Sequence, residues 1–305
     1  MSLAKLNRLI GDPAWSASWI ATRCYPKIYL GYLRRQSTRL KLNQPRFMLS
    51  FDCDTPADID ASARLSDYFK SFGILPVIAA PADIIEMDIG LFRALVTNGQ
   101  EFLNHGSKHH AAIDKDGEII STLSYGSLST SEWQKDIVDA DRRLRDYLHI
   151  DIKGFRTPHF GEFESRRNLI RLYKLLIKLG YSWSSSTSPL HVPLTARAER
   201  WTKGQLTEFP VTGHVDRPSQ IIDSWSYSMP NAPQKTMVES IIFSLKTYRV
   251  LMSKGDNLFI NVYFDPHQLE QQPCICEELA QYGRWAIARF DELYQNTTIR
   301  SSETN

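Results

Sequence analysis

The sequence predicts an α/β fold in which about seven parallel strands, separated by helices, close or nearly close into a barrel, preceded by an N-terminal helical extension. Three observations carry this expectation. From residue 46 onward, apolar β-prone runs alternate with stretches of helical periodicity. The chain has 305 residues, a length that α/β barrels use as a single domain. Its composition, 42% hydrophobic and 23% charged, is that of a globular protein and excludes disorder, collagen or coiled coil as a description of the whole chain.

The elements follow in order. RFMLSFDCD (46–54) is a first strand, and 58–72 a helix ending at Gly73. ILPVIAA (74–80) is a second strand, followed by a helix over 82–99 with Gly99 as its C-terminal cap. QEFLNH (100–105) is a third strand. The segment 131–148 opens with Ser131 as N-cap and places Trp133, Ile137, Val138, Leu144 and Leu148 at helical spacing. KGFRTPHF (153–160) is a fourth strand, and 164–179 a helix with Leu169, Leu172, Tyr173, Leu176 and Leu179 on one face. YSWSSS (181–186), LTEFPV (206–211) and NLFINVYFDP (257–266) are further strands; 235–253 and about 277–294 are helices. The loops 187–205 and 212–234 are long enough to wall a site.

Residues 1–45 form a basic, aromatic extension with eight Lys/Arg against one acid, Asp12, and with Trp15, Trp19, Tyr25, Tyr29 and Tyr32. Such a mixture suits either packing on the main domain or peripheral contact with a membrane headgroup region. Residues 46–295 are the barrel and 296–305 a flexible tail. No apolar core follows a basic start and no window nears 18 apolar residues, so neither a signal peptide nor a spanning helix is expected. The expected setting is the cytoplasm, extending to the inner membrane face. Four cysteines without C-x-x-C spacing make neither a disulfide framework nor a structural zinc site. A net charge of +2 argues against a nucleic-acid partner.

Chemistry-bearing residues gather at strand ends. Asp52 and Asp54 close the first strand, two residues apart after an apolar run, where paired carboxylates call for a cation. Cys53 alternates to the other face. His105 and His109, with His110 beside them, follow the third strand; histidines four apart on one turn aim both rings at one metal ion. Asp54, His105 and His109 together offer one carboxylate and two imidazoles, a set that leaves positions open for water and substrate. Arg156 in FRTPHFG ends the fourth strand and can hold a carboxylate ionised. Glu208 and the pair Asp265 and His267 complete one rim, the end where barrels place their sites.

In this order, SFDCD, GQEFLNHGSKH, FRTPHFG, GYSWSSS, EFPV and VYFDPH resemble the motifs of the polysaccharide deacetylases, the NodB-homology proteins of carbohydrate esterase family 4, over roughly residues 46–290. The resemblance implies a distorted (β/α)7 barrel and metal-dependent hydrolysis of an N-acyl, usually N-acetyl, group on a sugar. It makes Asp52 the general base and Asp54, His105 and His109 the ligands of a divalent metal, Zn2+ first, with Co2+, Ni2+ or Fe2+ also accepted. Arg156 orients Asp52, the His159 backbone N–H serves the oxyanion, and Pro158 and Glu208 stand on the substrate side. Two positions depart from the pattern. Ser184 replaces an Asp, and Asp265-Pro266 stands where a His is usual, leaving the general acid open between His267 and Asp265. A cytoplasmic setting implies a nucleotide- or lipid-linked amino sugar, as in O-antigen, capsule or exopolysaccharide assembly. The alternatives are a deformylase or cyclic-amide hydrolase on the same barrel, or an inactive glycan-binding relative.

Overall fold

The computed structural model describes residues 11–115, 119–228 and 232–293. The expected tail at 296–305 and the first ten residues lie outside these. Two helices come first, α1 (Pro13–Cys24) and α2 (Ile28–Arg39). The main sheet then holds seven parallel strands. In chain order these are β1 (Arg46–Asp52), β2 (Val77–Ala80), β3 (Phe102–Asn104), β6 (Gly154–Phe155), β7 (Trp183–Ser184), β8 (Thr207–Glu208) and β9 (Phe259–Phe264). Their spatial order is β8-β7-β6-β3-β2-β1-β9, all neighbours being parallel. This is the distorted seven-stranded (β/α) barrel that the sequence predicts.

The seam between β8 and β9 is closed by side-chain chemistry rather than by a ladder. Asn261 donates to the carbonyls of Phe209 and Pro210, and its backbone exchanges bonds with Thr212. The antiparallel hairpin β4 (Ala111–Ile113) and β5 (Ile119–Ser121), which the periodicity did not announce, rises beside the C-terminal rim.

The strands alternate between two buried surfaces, as a period of two requires. Phe47, Leu49, Phe51 and Cys53 face outward into the layer under the helices. Met48, Val77, Leu103 and Trp183 face the barrel interior, where Phe209, Phe259 and Phe290 fill the lower half. Phe290 lies against Trp183 at 4.3 Å and Phe209 at 5.1 Å between ring centroids. The bottom of the barrel is therefore a packed aromatic plug, and polar groups collect at the top, past Asp52.

The helices follow local signals, with several adjustments. α3 (Ala57–Lys70) ends before Gly73, as expected. The segment 82–99 is two helices, α4 (Ala82–Met87) and α5 (Ile89–Thr97), because Asp88 leaves helical geometry and caps α5 through the Leu91 N–H. The N-cap of α6 (Thr130–Leu148) is Ser129, not Ser131; Ser129 and Glu132 form a reciprocal capping box. α7 (Arg166–Lys178) is capped by Ser165. The stretch 187–205 is not an open loop but a 3-10 turn (Pro189–Leu194) and α8 (Thr195–Thr202). α9 (Trp225–Ser228) interrupts the loop 212–234 and α10 (Gln234–Ser253) follows it. After β9 come α11 (Pro266–Glu270) and α12 (Pro273–Ala280), so the last expected helix starts earlier and stops at Ala280 rather than about 294.

The N-terminal helices lie on this body. Tyr29 and Leu33 are fully buried in the outer core, and the Tyr29 hydroxyl accepts from the Gly213 N–H. Arg34 pairs with Asp256, Arg39 with Glu199, and Asp12 with Arg197. Among the described residues no helix is long and apolar enough to cross a membrane.

The plug has a pH-sensitive anchor. Buried Glu101, just before β3, accepts from the Phe290 N–H at 2.6 Å. Burial pushes its carboxyl up from 4.5 to about 8. The folded state thus keeps a proton that the unfolded chain releases above about 4.5, and the stabilisation is lost as pH rises through 8. The slope is at most about 1.4 kcal/mol per pH unit. Thermal unfolding measured from pH 5 to 9 is expected to show falling stability in the wild type and a flatter profile in Glu101→Gln.

A candidate metal centre at the barrel mouth

Three strand ends and one loop build the site. Alternation along β1 carries Asp52 onto the interior face at the C-terminal rim, and Asp54 follows one pleat later. Residue 105 leaves β3 at the same level. The loop from His105 to His110 is not helical. Gly106 holds φ +92°, and a Cβ there would lie 2.7 Å from Asp136 Oδ2 and 2.8 Å from the Tyr125 hydroxyl, so glycine is required. Asp136, on α6, fixes the turn by accepting from the N–H groups of Ser107 and Lys108 and from Tyr125.

That loop decides which histidine meets Asp54. His105 Nε2 lies 3.4 Å and His110 Nε2 3.0 Å from Asp54 Oδ1. One ligand atom from each of Asp54, His105 and His110 can be chosen so that all lie within 4.8 Å of one another. His109, expected as the second imidazole, is instead half exposed and directed toward Asp83 at 4.0 Å. The four-residue spacing aligns two rings only on a helix, and this segment is a glycine-bent loop that leads straight into β4.

These residues fit a divalent cation. Among the described residues, neither ring nitrogen of buried His110 nor Asp54 Oδ1 makes a hydrogen bond of good geometry, although His110 Nε2 and Asp54 Oδ1 stand only 3.0 Å apart. Unpartnered buried atoms converging on one point are costly unless something cationic satisfies them. His105 Nδ1 contacts the Arg156 carbonyl at 2.9 Å, which places the proton on Nδ1 and leaves the Nε2 lone pair facing Asp54. Burial raises the Asp54 carboxyl, but the His110 and His105 rings outweigh it and hold the group well below the usual carboxylate range.

Asp52 stands beside this triangle. Arg156, wholly buried, donates to Asp52 Oδ1 and to the Ser185 carbonyl and hydroxyl. The guanidinium also lies over the rings of Tyr263 and Phe160 at 5.4 and 5.8 Å. Burial pushes the Asp52 carboxyl up, against the opposing pull of Arg156 and His105.

A cleft of about 290 Å3 opens above Asp52, Asp54 and His105. One wall is His159, Phe160 and Ser121; the other is Ile221, Asp223 and Trp225 from the loop 212–234, with Tyr263 and Asp265 from the end of β9. That loop therefore walls the site, whereas 187–205 does not. His159 sits at φ +54°, and its Nε2 reaches the Ser121 hydroxyl at 2.9 Å and the His110 carbonyl at 3.1 Å. Burial and the neighbouring His110 push its ring pKa down.

Five sequence-derived candidates do not line the cleft: Arg156, which stands behind Asp52, and four others. His267 is turned onto α11, its N–H donating to Asp58 Oδ1 and its ring meeting Gln271, so Asp265 is the one of the pair that reaches the site. Glu208 is buried as an acceptor for the Ser186 N–H and the Thr187 and Tyr173 hydroxyls, which is a structural role. Burial pushes it up to about 7. Pro158 is buried but forms no part of the cleft wall, and His109 stands outside it. Ser184, the substituted position, bonds Ser186. Sequence reasoning missed His110, Asp223 and Trp225; a signal for His110 was present in the glycine that breaks any helical turn after His105.

No protein-family model and no curated protein matches this sequence. Among the solved structures that superimpose on most of it are two polysaccharide deacetylases. One, from Mycobacterium smegmatis and assigned as a polysaccharide deacetylase, covers 86% of this chain and 93% of its own, with a TM-score of 0.54 and 14% identity. Another, from Pseudomonas aeruginosa PAO1 and likewise assigned, covers 78% and 72%, with a TM-score of 0.52 and 14% identity. The chain has the polysaccharide deacetylase fold. Within that fold, Asp52, Asp54, His105 and Arg156 stand at one end of the barrel, and His110 takes the place assigned to His109.

The ligand assignment separates two adjacent histidines. After loading with Zn2+ and desalting, His109→Ala is expected to retain about one equivalent, as the wild type does, while His110→Ala retains little. Elemental analysis reads the difference; metal lost from His109→Ala and kept by His110→Ala would reverse it.

Proposed function

We propose that this chain is a metal-dependent N-deacylase, in the first instance an N-deacetylase, acting on an amino sugar of a cytoplasmic glycan precursor. The observation that carries the reading is the triangle of Asp54, His105 and His110, open to a cleft in which Asp52 is locked to a buried arginine. A metal held by these three residues would polarise the scissile amide carbonyl and acidify a water molecule.

The protein's own groups supply the rest. Asp52 is the base that takes the water proton, because one of its oxygens is fixed by Arg156 and the other is left toward the cleft near His105. Arg156 is a positioning residue: it is clamped between rings and the Ser185 carbonyl and never meets substrate. Expulsion of the amine needs a proton. Asp265 lines the cleft, and its carboxyl accepts from the Ser224 hydroxyl at 2.9 Å. Burial first, then the charges of Asp54 and Asp58, push its pKa well above its ordinary value, which favours the protonated form that can donate. The His159 N–H serves the oxyanion in this reading. Phe160, Trp225 and the His159 ring offer flat apolar surfaces for a sugar ring.

The precursor setting belongs to surface-polysaccharide assembly, with the sugar on a nucleotide or lipid carrier. All four cysteines are unpaired, in keeping with a reducing compartment.

Acetate release from N-acetyl amino sugars by the metal-loaded protein tests the reading, with formamides and cyclic amides as parallel substrates. Asp52→Asn is expected to keep its metal and lose about 10²- to 10⁴-fold in kcat, the usual worth of a positioned base. Turnover of formamides or cyclic amides alone would move the activity to those bonds, and no turnover of any of them would contradict the reading.

A further inference from the structure

A second concavity, of about 820 Å3, adjoins the cleft and is built on the exposed face of α7. Arg166, Arg167, Arg171 and Lys174 line it, with Asp12 and Glu162 as its only acids among the described residues. Asp12 is already paired with Arg197, and Glu162 accepts from the Ser124 hydroxyl. None of the four cations meets a carboxylate among the described residues; Arg171 reaches only the Thr130 hydroxyl and Arg166 only the ring of Trp201.

Helix α6 behaves differently. On α6, Arg142, Arg143 and Arg145 each pair with carboxylates. On α7 the charges repel one another at three- and four-residue spacing. Arg166 and Arg167 also occupy the first turn, where the helix dipole disfavours cations and where no acid is present. The opposite face, with Leu169, Leu172, Tyr173 and Leu176, is committed to the core, so the basic face has to point outward. An arrangement unfavourable to the free helix is relieved by an anion.

The position says which anion. Phe160 walls the cleft, Gly161 lines the groove, and Glu162 lines both. An anion in the groove is thus next to a sugar in the cleft, separated by one short turn of chain. We propose that this groove binds the diphosphate that links the amino sugar to its carrier, with arginines engaging the phosphate oxygens in paired hydrogen bonds. The inference deepens the deacylase reading: the choice of sugar rests on that reading, but the anion site rests on the groove alone.

Two arms test it. In the first, inorganic pyrophosphate is titrated into the full-length, metal-loaded protein by calorimetry, at low and high salt. The wild type is expected to bind, more weakly as salt screens the cations. Arg167→Glu/Lys174→Glu is expected to bind at least tenfold more weakly, and Arg167→Gln/Lys174→Gln to fall between; unfolding curves verify that the variants are folded. Absent binding, or binding equal in all three proteins, overturns the proposal. In the second arm, kcat/KM is compared for UDP-N-acetylglucosamine, polyprenyl-diphosphate N-acetylglucosamine in detergent micelles, and neutral N-acetylglucosamine oligomers. A diphosphate-linked substrate is expected to be preferred, with the charge reversal lowering that preference at least tenfold through KM. Preference for one of the two linked sugars identifies the carrier as nucleotide or lipid, and a preference for neutral oligomers overturns the proposal. If no substrate is turned over at all, the deacylase reading fails while the pyrophosphate arm still decides the groove.

Discussion

Charge burial is the constraint around which this barrel is organised. The cleft is lined by Asp52, Asp54, Glu162, Asp223 and Asp265, and Asp58 lies just beneath. Against these the interior supplies one guanidinium, Arg156, and three imidazoles. Carboxylates removed from water must be paired, protonated or bound to a cation. The first two are present, and the residues at one corner fit the third. Asp52 is paired with Arg156. Asp223, Asp265 and Asp58 are pushed by burial toward protonation, Asp223 to about 6 and Asp58 to about 7. Of the cleft carboxylates, Asp54 is the one driven strongly toward ionisation, and it faces His110, whose ring nitrogens make no hydrogen bond among the described residues. In the proposed reading a divalent cation would complete the balance at that corner.

The rest of the molecule serves that corner. The aromatic plug of Trp183, Phe209 and Phe290 fills the lower barrel, so that polar groups are confined to the upper rim. Asp136 reaches from α6 to pin the loop that carries His105 and His110. The Asn261 bridges close the seam between β8 and β9 without an eighth strand. The N-terminal helices cover the outer core through Tyr29 and Leu33, and several of their cations are neutralised by acids of the barrel. The α7 cations that line the groove beside the cleft meet no carboxylate among the described residues.

Much of this was legible in the sequence because strands end where barrels place chemistry. Asp52, Asp54, His105 and Arg156 each follow an apolar run, and reading those runs as parallel strands puts all four on one rim. Strand positions were legible, but strand lengths were not: paired ladders of two residues suffice for β6, β7 and β8, since neighbouring loops complete the hydrogen bonding. The choice between His109 and His110 was not legible from spacing. It depends on Asp136 and Tyr125, both remote in sequence, and on a glycine at φ +92° whose Cβ position is filled by those two side chains. Glu208 misled for a related reason. A glutamate at a strand end points to catalysis, but here it satisfies hydroxyl and amide donors below the site. The loop 212–234 was legible as a wall, whereas its contribution of Asp223 and Trp225 required the fold.

The most direct test of the metal centre is anomalous diffraction at the zinc absorption edge from crystals of the Zn2+-loaded protein. A single peak is predicted about 2.0–2.2 Å from an Asp54 carboxylate oxygen and from a ring nitrogen of each of His105 and His110. A peak between His109 and Asp83 instead, or none in crystals grown from metal-saturated protein, would contradict the account.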